Sequence, residues 1–273
     1  ESININRFFY YLNNCNGLSF NSLKNITFQY LLEQHFEDKQ LMAVLSLLVL
    51  GNTGLPASRV SAFTSVELYK EFMLDGGYYP EKGMQQLPDV LLQRFKRLGG
   101  DIFSPSFVNK IKVRGNCVEG VEINASDFVS AKYIISDVDA TQTFLDLVEE
   151  RHIGKDIKNR LRDLKPSLSI FILYLGTDGK FGGMPADTNI WYMPNYETEE
   201  MYNAANSGKV YNLDWYLLRE MSDKKSIIML VNAPFMNYEY WRDNKEKLIE
   251  VFIKKAEYTI PNLSKHIVLK DAA

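Results

Sequence analysis

Three histidines, His35, His152 and His266, are the side chains best suited to exchanging protons near neutral pH, and they stand far apart in the 273-residue chain. His35 falls on or beside an apolar stripe of Phe28, Leu31, Leu32 and Phe36, where a packed or half-exposed structural histidine is expected. His152, between Arg151 and Ile153 in a charged connector, reads as exposed, and His266 near the C-terminus is equally plain. Asp137 and Asp139 follow an extended stretch, where a turn and a helix cap are expected ahead of acid–base work. The two cysteines, Cys15 and Cys117, form no CxxC and no His/Cys cluster at metal-ligand spacing, so no metal site and a reducing cytoplasm are expected. No GxSxG elbow, P-loop, HExxH or GxGxxG occurs. No residue is nominated as a catalytic base.

The elements that must position any site are easier to read. The chain is 46% hydrophobic and 24% charged, with 31 basic against 34 acidic residues and no basic block, which excludes a nucleic-acid partner. Its longest apolar run, Leu41 to Leu50, is too short to span a bilayer, which takes roughly 20 residues. Helical spacing runs through Phe28–Phe36. A second helix is expected from an Asp38 cap to Leu50 with Gly51 at C′. A third follows Pro56 and carries Phe63, Val66, Tyr69, Phe72 and Met73. A fourth carries Leu87, Val90, Leu91, Phe95 and Leu98, with Pro88 tolerated in its first turn.

The period then changes to two. Lys110 to Ile123 reads as a hairpin turning at Gly115-Asn116, with Val113 opposite Val118 and Lys112 opposite Glu119. Lys132 to Ser136 reads as a strand leading into a helix with Phe144, Leu145 and Val148. Further strands are expected at Ser167–Gly176, Asn189–Met193 and Ser226–Pro234. An amphipathic helix from Tyr238 to about Glu257 should turn Trp241, Leu248, Val251, Phe252 and Ala256 inward. Trp191 and Tyr192 are adjacent on one strand, so at most one of them faces a given cavity. The mixture is α+β without regular βαβ alternation.

Between Gly76 and Val148 the chain holds GGYYPEKGM, a helix ended by Gly99-Gly100, an extended stretch with Val108, CVEGVEI, and YIISDVDA. This series resembles the phytoene desaturase branch of the FAD-dependent amine-oxidase-like superfamily, with its carotenoid desaturases, prolycopene isomerase type and retinol saturase. That branch carries a GG-aromatic-P-x-GG-M element, a helix ending in GG, a fixed valine, a hairpin with GV and a strand closing in S-N-A-D-P. Gly76, Gly77, Tyr79, Pro80, Gly83, Met84, Gly99, Gly100, Val108, Gly120, Val121, Ser136 and Asp139 fall in step. Lys82, Asp137 and Ala140 depart, and Lys82 bears on any close backbone approach to flavin or substrate. The flanks, Ile26–Ser46 and Asn232–Trp241 with Ile260–Leu263 beyond, are similar more loosely.

The resemblance implies the α+β substrate domain of a flavin oxidoreductase, a mixed sheet with helices on one side. A β-hairpin and strand belonging to the flavin-binding domain accompany it. Residues 1–75 would be the helical part, 76–148 the segment returning to the FAD-binding domain, and 149–273 the sheet-plus-helix part. FAD is the implied cofactor of the intact protein. The family's two glycine-rich flavin anchors are absent from these residues, so the chain reads as an internal piece that does not retain FAD or act alone. Val108 would meet the adenine through its main chain; the other reading is a core valine. Tyr78 and Tyr79 would line the route to the flavin, or simply pack as two aromatics. Trp191 is a further substrate-side candidate, against a plain sheet-core aromatic. The implied substrate is a long hydrophobic polyene to be desaturated, saturated or isomerised, with the flavin carrying the hydride chemistry. A flavin amine oxidase acting on a small amine, or a non-catalytic lipid-binding module, are the rival readings. The Leu41–Leu50 stripe would either be a buried helix or face a membrane or tunnel mouth, so peripheral contact with a membrane from the cytoplasm is an expectation too.

Overall fold

The computed structural model describes residues 2–273 other than 82, 165, 166, 182, 183, 186 and 187; the side chains of 2, 3 and 17–19 also lie outside it. It divides into two compact units, Glu1–Gly83 with Ser167–Ala273, and Met84–Pro166.

The first unit opens with helices α1 (Ser2–Asn14), α2 (Gly17–Ser22), α3 (Phe28–Glu33), α4 (Lys39–Thr53) and α5 (Ala62–Tyr69). Thr27, Asp38 and Ser61 cap the last three, each side-chain oxygen accepting backbone N–H groups that the first helical turn leaves unpaired. Phe8, Leu12, Phe28, Leu32, Val49 and Val66 make their common core. His35 sits against the rings of Phe8 (5.3 Å) and Tyr11 (5.4 Å), and burial lowers its pKa, as a structural histidine's would be. α4 does not stop at Gly51. It continues to Thr53 and closes on Gly54, left-handed at φ 67°, whose N–H reaches Leu50 O. α5 passes into a π-helical turn, Lys70–Leu74, that leaves Phe72 and Met73 exposed.

The second unit holds α6 (Gln86–Arg97), β1 (Val108–Arg114), β2 (Cys117–Ile123), β3 (Asp127–Ser130) and α7 (Lys155–Arg162). β1 and β2 form the expected hairpin, with Val113 opposite Val118 and Arg114 opposite Cys117. Lys112, however, faces Gly120 and not Glu119, because the register slips between Lys112 and Val113. Lys112 consequently pairs with Glu122 at 2.8 Å, and Arg114 takes Glu119 at 3.1 Å. The expected strand at Lys132–Ser136 does not form. It has no ladder partner among the described residues, and Tyr133 and Ile135 are 88% and 97% exposed. The expected helix beyond it is a π-helical turn, Gln142–Leu147, whose approach is capped by the Asp139 carboxylate accepting from the Thr141 and Gln142 N–H groups.

The first unit resumes with β4 (Ser169–Thr177), β5 (Asn189–Tyr192), α8 (Thr198–Asn206), β6 (Tyr216–Glu220), β7 (Ser226–Ala233), α9 (Tyr238–Ala256) and β8 (Ile267–Ala272). The strands order β5-β6-β7-β4-β8, and every neighbouring pair is antiparallel. The expected mixed sheet is therefore corrected. β6 and β7, for instance, are joined by the short turn at 221–225, and a parallel pair needs a crossover far longer than that. α9 buries Leu248, Ile249, Phe252 and Ala256 against Phe171, Leu173, Leu218, Met229 and Val231 on the inner face, while Val251 is only half-buried. Each fully buried side chain of that size contributes about 1.5–3 kcal/mol. Polar ties lock the helix in place. The Tyr216 hydroxyl, its pKa pushed up to about 12 by burial, donates to Lys255 O at 2.8 Å. Lys255 Nζ donates to the carbonyls of Tyr211 and Leu213 and pairs with Asp214. Helices do not lie on one side only, because α4 meets the other face through Gly51. Among the described residues no helix is long and apolar enough to cross a membrane.

Candidate functional site

α9 fills one face of the five-stranded sheet and leaves the other to its own side chains. β4 (SIFILYLGT) and β7 (SIIMLVNA) are apolar at almost every position, so the outer face is apolar as well. The register lines its residues into rows across the strands. One row reads Trp191, Leu217, Leu230, Ile172, all half-buried. The next reads Asn189, Arg219, Ile228, Tyr174, Asp271. With strands about 4.8 Å apart, the apolar row runs roughly 14 Å.

The two ends of this face differ. Near α4 it is closed. The Trp191 ring lies so close to the helix that a Cβ on Gly51 would stand 1.9 Å from it. The same ring stacks on Trp215 at 6.5 Å between centroids; Trp215 is buried, with Leu50 and Met201 buried around the pair. Trp215 Nε1–H finds no acceptor among the described residues. The Arg219 end is polar. Its guanidinium lies over the Tyr79 ring, 5.1 Å from the centroid, and donates to Asn189 Oδ1 at 3.1 Å. Among the described residues Arg219 has no carboxylate partner. Asp271, three strands away in the same row, is paired with Lys245 at 2.6 Å.

Two of the residues singled out in the sequence, Tyr79 and Trp191, thus lie on one sheet face. Tyr78 is 92% exposed, its hydroxyl donating to Asp75 O at 3.3 Å. Tyr192 turns the opposite way and stacks on Tyr216 at 4.9 Å within the inner core. Val108 begins β1, an edge strand of the other unit's sheet, and is 36% exposed. Lys82 lies outside the described residues. In the Leu41–Leu50 stripe Ala43, Val49 and Leu50 are buried and Val44 is exposed. Sequence reasoning missed Arg219 and Leu217 because it did not read β6 as a strand; Trp215, Leu217 and Arg219 at spacing two were the available signal.

The remaining polar candidates are placed as follows. His152 is half-buried, not exposed. It lines a cavity of about 530 Å³ in the second unit, together with Ile111, Val113, Val118, Ile134 and Phe144. One wall of that cavity is formed by Ile134, Ser136, Val138 and Ala140, from a stretch outside the described strands. His266 is not plain either: its Nδ1 lies 3.1 Å from Asp178 Oδ1. A backbone N–H from Lys180, and then His266, hold the Asp178 carboxyl below its ordinary range. Among the described residues no three His, Cys, Asp or Glu side chains are placed to share a metal ion. The outer face offers dispersion contact to a long flat ligand and one cation with donors to spare; the described residues place no acid, base or nucleophile on its apolar row.

No family model matches the chain. It is 25% identical over 177 residues to phytoene desaturase (lycopene-forming) of Pantoea ananas, covering 64% of this chain and 34% of that protein. It is 31% identical over 102 residues to 4,4'-diaponeurosporene oxygenase of Staphylococcus aureus, covering 37% and 20%. The chain therefore spans about a third or less of these relatives. Among solved structures it is similar in fold to an oxidoreductase from Methanosarcina mazei, with a TM-score of 0.59 at 15% identity over 97% of this chain and 63% of that one. A redesigned putrescine oxidase gives a TM-score of 0.54 at 14% identity, over 94% and 55%.

Proposed function

We propose that this chain, a partial member of the FAD-dependent amine-oxidase-like superfamily, supplies the substrate-side sheet of an oxidoreductase acting on an elongated apolar polyene. The observation that carries the reading is the half-buried row Trp191, Leu217, Leu230, Ile172. A conjugated chain is flat, stiff and apolar. Laid across the strands it touches that row along its length and loses little conformational freedom in doing so. The small-amine reading is weaker on the same face, since the Arg219 guanidinium repels an ammonium group and Asp271 is already tied to Lys245.

On this reading the first unit is the substrate side, and Met84–Pro166 belongs with the flavin-binding part. Support comes from α6, whose Leu87, Leu91 and Phe95 are all about half exposed or more, and from exposed Tyr133 and Ile135. Apolar faces of that kind mark a surface built to be covered. Among the described residues we propose one contact point for FAD. Among the described residues no glycine-rich turn carries a strand into a helix to cradle a pyrophosphate. The edge of β1 at Val108 offers main chain to a planar ring. Bound flavin would supply hydride acceptance; the residues present here hold and orient the substrate. Residues 1–273 mixed with FAD and desalted are expected to emerge without stoichiometric flavin absorbance, and a yellow eluate at one flavin per chain would refute this.

The polyene reading is tested with cis-parinaric acid methyl ester, an uncharged conjugated tetraene whose absorption overlaps tryptophan emission. Titration is expected to quench Trp191 and Trp215 saturably. Leu230→Asp, checked for an unchanged circular dichroism spectrum, should weaken binding at least about tenfold, which corresponds to about 1.4 kcal/mol. Absence of saturable quenching in the wild-type chain would remove the reading.

A further inference from the structure

We propose that Arg219 reads the end of the ligand, so that this face is built for an elongated apolar chain that terminates in a carboxylate. The inference rests on the polyene reading above and deepens it. A charged side chain is rare on an apolar sheet face unless something pairs with it, because desolvating an unpaired charge is costly. Arg219 stands one row from Trp191, Leu217, Leu230 and Ile172, next to Ile228 in its own row. A guanidinium carries five N–H donors, and among the described residues one of them is used, on Asn189 Oδ1. The Tyr79 ring, its centroid 5.1 Å from the guanidinium carbon, attracts the cation through its face and leaves the N–H groups for an acceptor elsewhere. Asp271, the carboxylate of the same row, is roughly 14 Å away by strand spacing and engaged by Lys245. Among the described residues the geometry therefore leaves a planar fork of donors beside an apolar track. A ligand carboxylate matches that fork in two parallel hydrogen bonds, which an ester or hydrocarbon end cannot supply.

The experiment compares cis-parinaric acid with its methyl ester on the same 273-residue chain, by tryptophan quenching at low and high salt. The acid is expected to bind wild type at least about tenfold more tightly than the ester, with the advantage shrinking in salt. Arg219→Gln should erase the difference by weakening the acid alone. Arg219→Lys should restore part of it, and thermal melts should show all three chains folded. Equal binding of acid and ester to wild type overturns the carboxylate assignment and leaves the apolar face intact. Preference for the acid that survives Arg219→Gln assigns the charge to another residue and also overturns it. Failure of both probes to bind defeats the polyene reading itself.

Discussion

Gly120→Ala is expected to collapse the three-stranded sheet of the second unit, at a cost of about 3–5 kcal/mol from backbone strain and steric overlap together. Gly120 sits at the centre of that sheet, opposite Lys112 on β1 and Ser130 on β3. Its φ of 153° is one that residues with a Cβ rarely adopt. An added Cβ would stand 2.1 Å from Val129 O and 2.8 Å from Ser130 Cα. Both are backbone atoms and cannot swing aside as a side chain does. Chemical denaturation and amide exchange across β1–β3 should show the loss directly. Gly115→Ala is the matched control: it too has positive φ, at 59°, but nothing lies within 4 Å of its missing Cβ, so about 1 kcal/mol is expected. Gly120→Ala melting within a degree or two of wild type would show that β3 yields, and that this glycine is not required by close approach.

What the sequence made legible follows from where local physics decides the outcome. The β1–β2 turn was readable because a Gly-Asn pair between two period-two runs admits few geometries, and Val113 indeed faces Val118. The slip that puts Lys112 on Gly120 was not readable, because a bulge leaves the alternation on both sides intact. The Asp38 and Asp139 caps were readable for the same local reason. The strand expected at Lys132–Ser136 failed because a strand needs neighbours, and its propensity cannot say whether any will be present. β8 and β6 were missed as short strands, Ile267–Ala272 and Tyr216–Glu220, with charged residues in their alternation. That omission hid the site. Trp191 was visible alone, but Leu217 and Arg219 joined it only once β5 and β6 were paired.

The second large effect is expected at Gly51→Ala, and it runs against helix propensity. Gly51 lies inside α4, where alanine is ordinarily favoured by about 1 kcal/mol. A glycine there reads as a helix stop, yet the helix continues to Thr53, and the reason lies across the interface. A Cβ would meet the Trp191 ring at 1.9 and 2.4 Å. The ring is the far end of a side chain and so is free to rotate in principle, but it is backed by Trp215, itself 2% exposed and packed with Leu50 and Met201. Relief therefore requires either unstacking the two indoles or lifting α4 from the sheet, and overpacking of this kind costs about 1–3 kcal/mol beyond the propensity gain. A lower denaturation midpoint and a red shift of tryptophan emission are expected, with loss of quenching by the neutral polyene, since the closed end of the apolar face is distorted. Trp191→Ala alone should also destabilise, by about 2–3 kcal/mol, below the range for a fully buried ring because Trp191 is half-buried. The double variant should fall short of the summed losses by more than about 1 kcal/mol, because the methyl group added to α4 then has no ring to strike. Additive losses, or a Gly51→Ala chain more stable than wild type, would mean that the ring moves freely and that α4 does not set the end of the face.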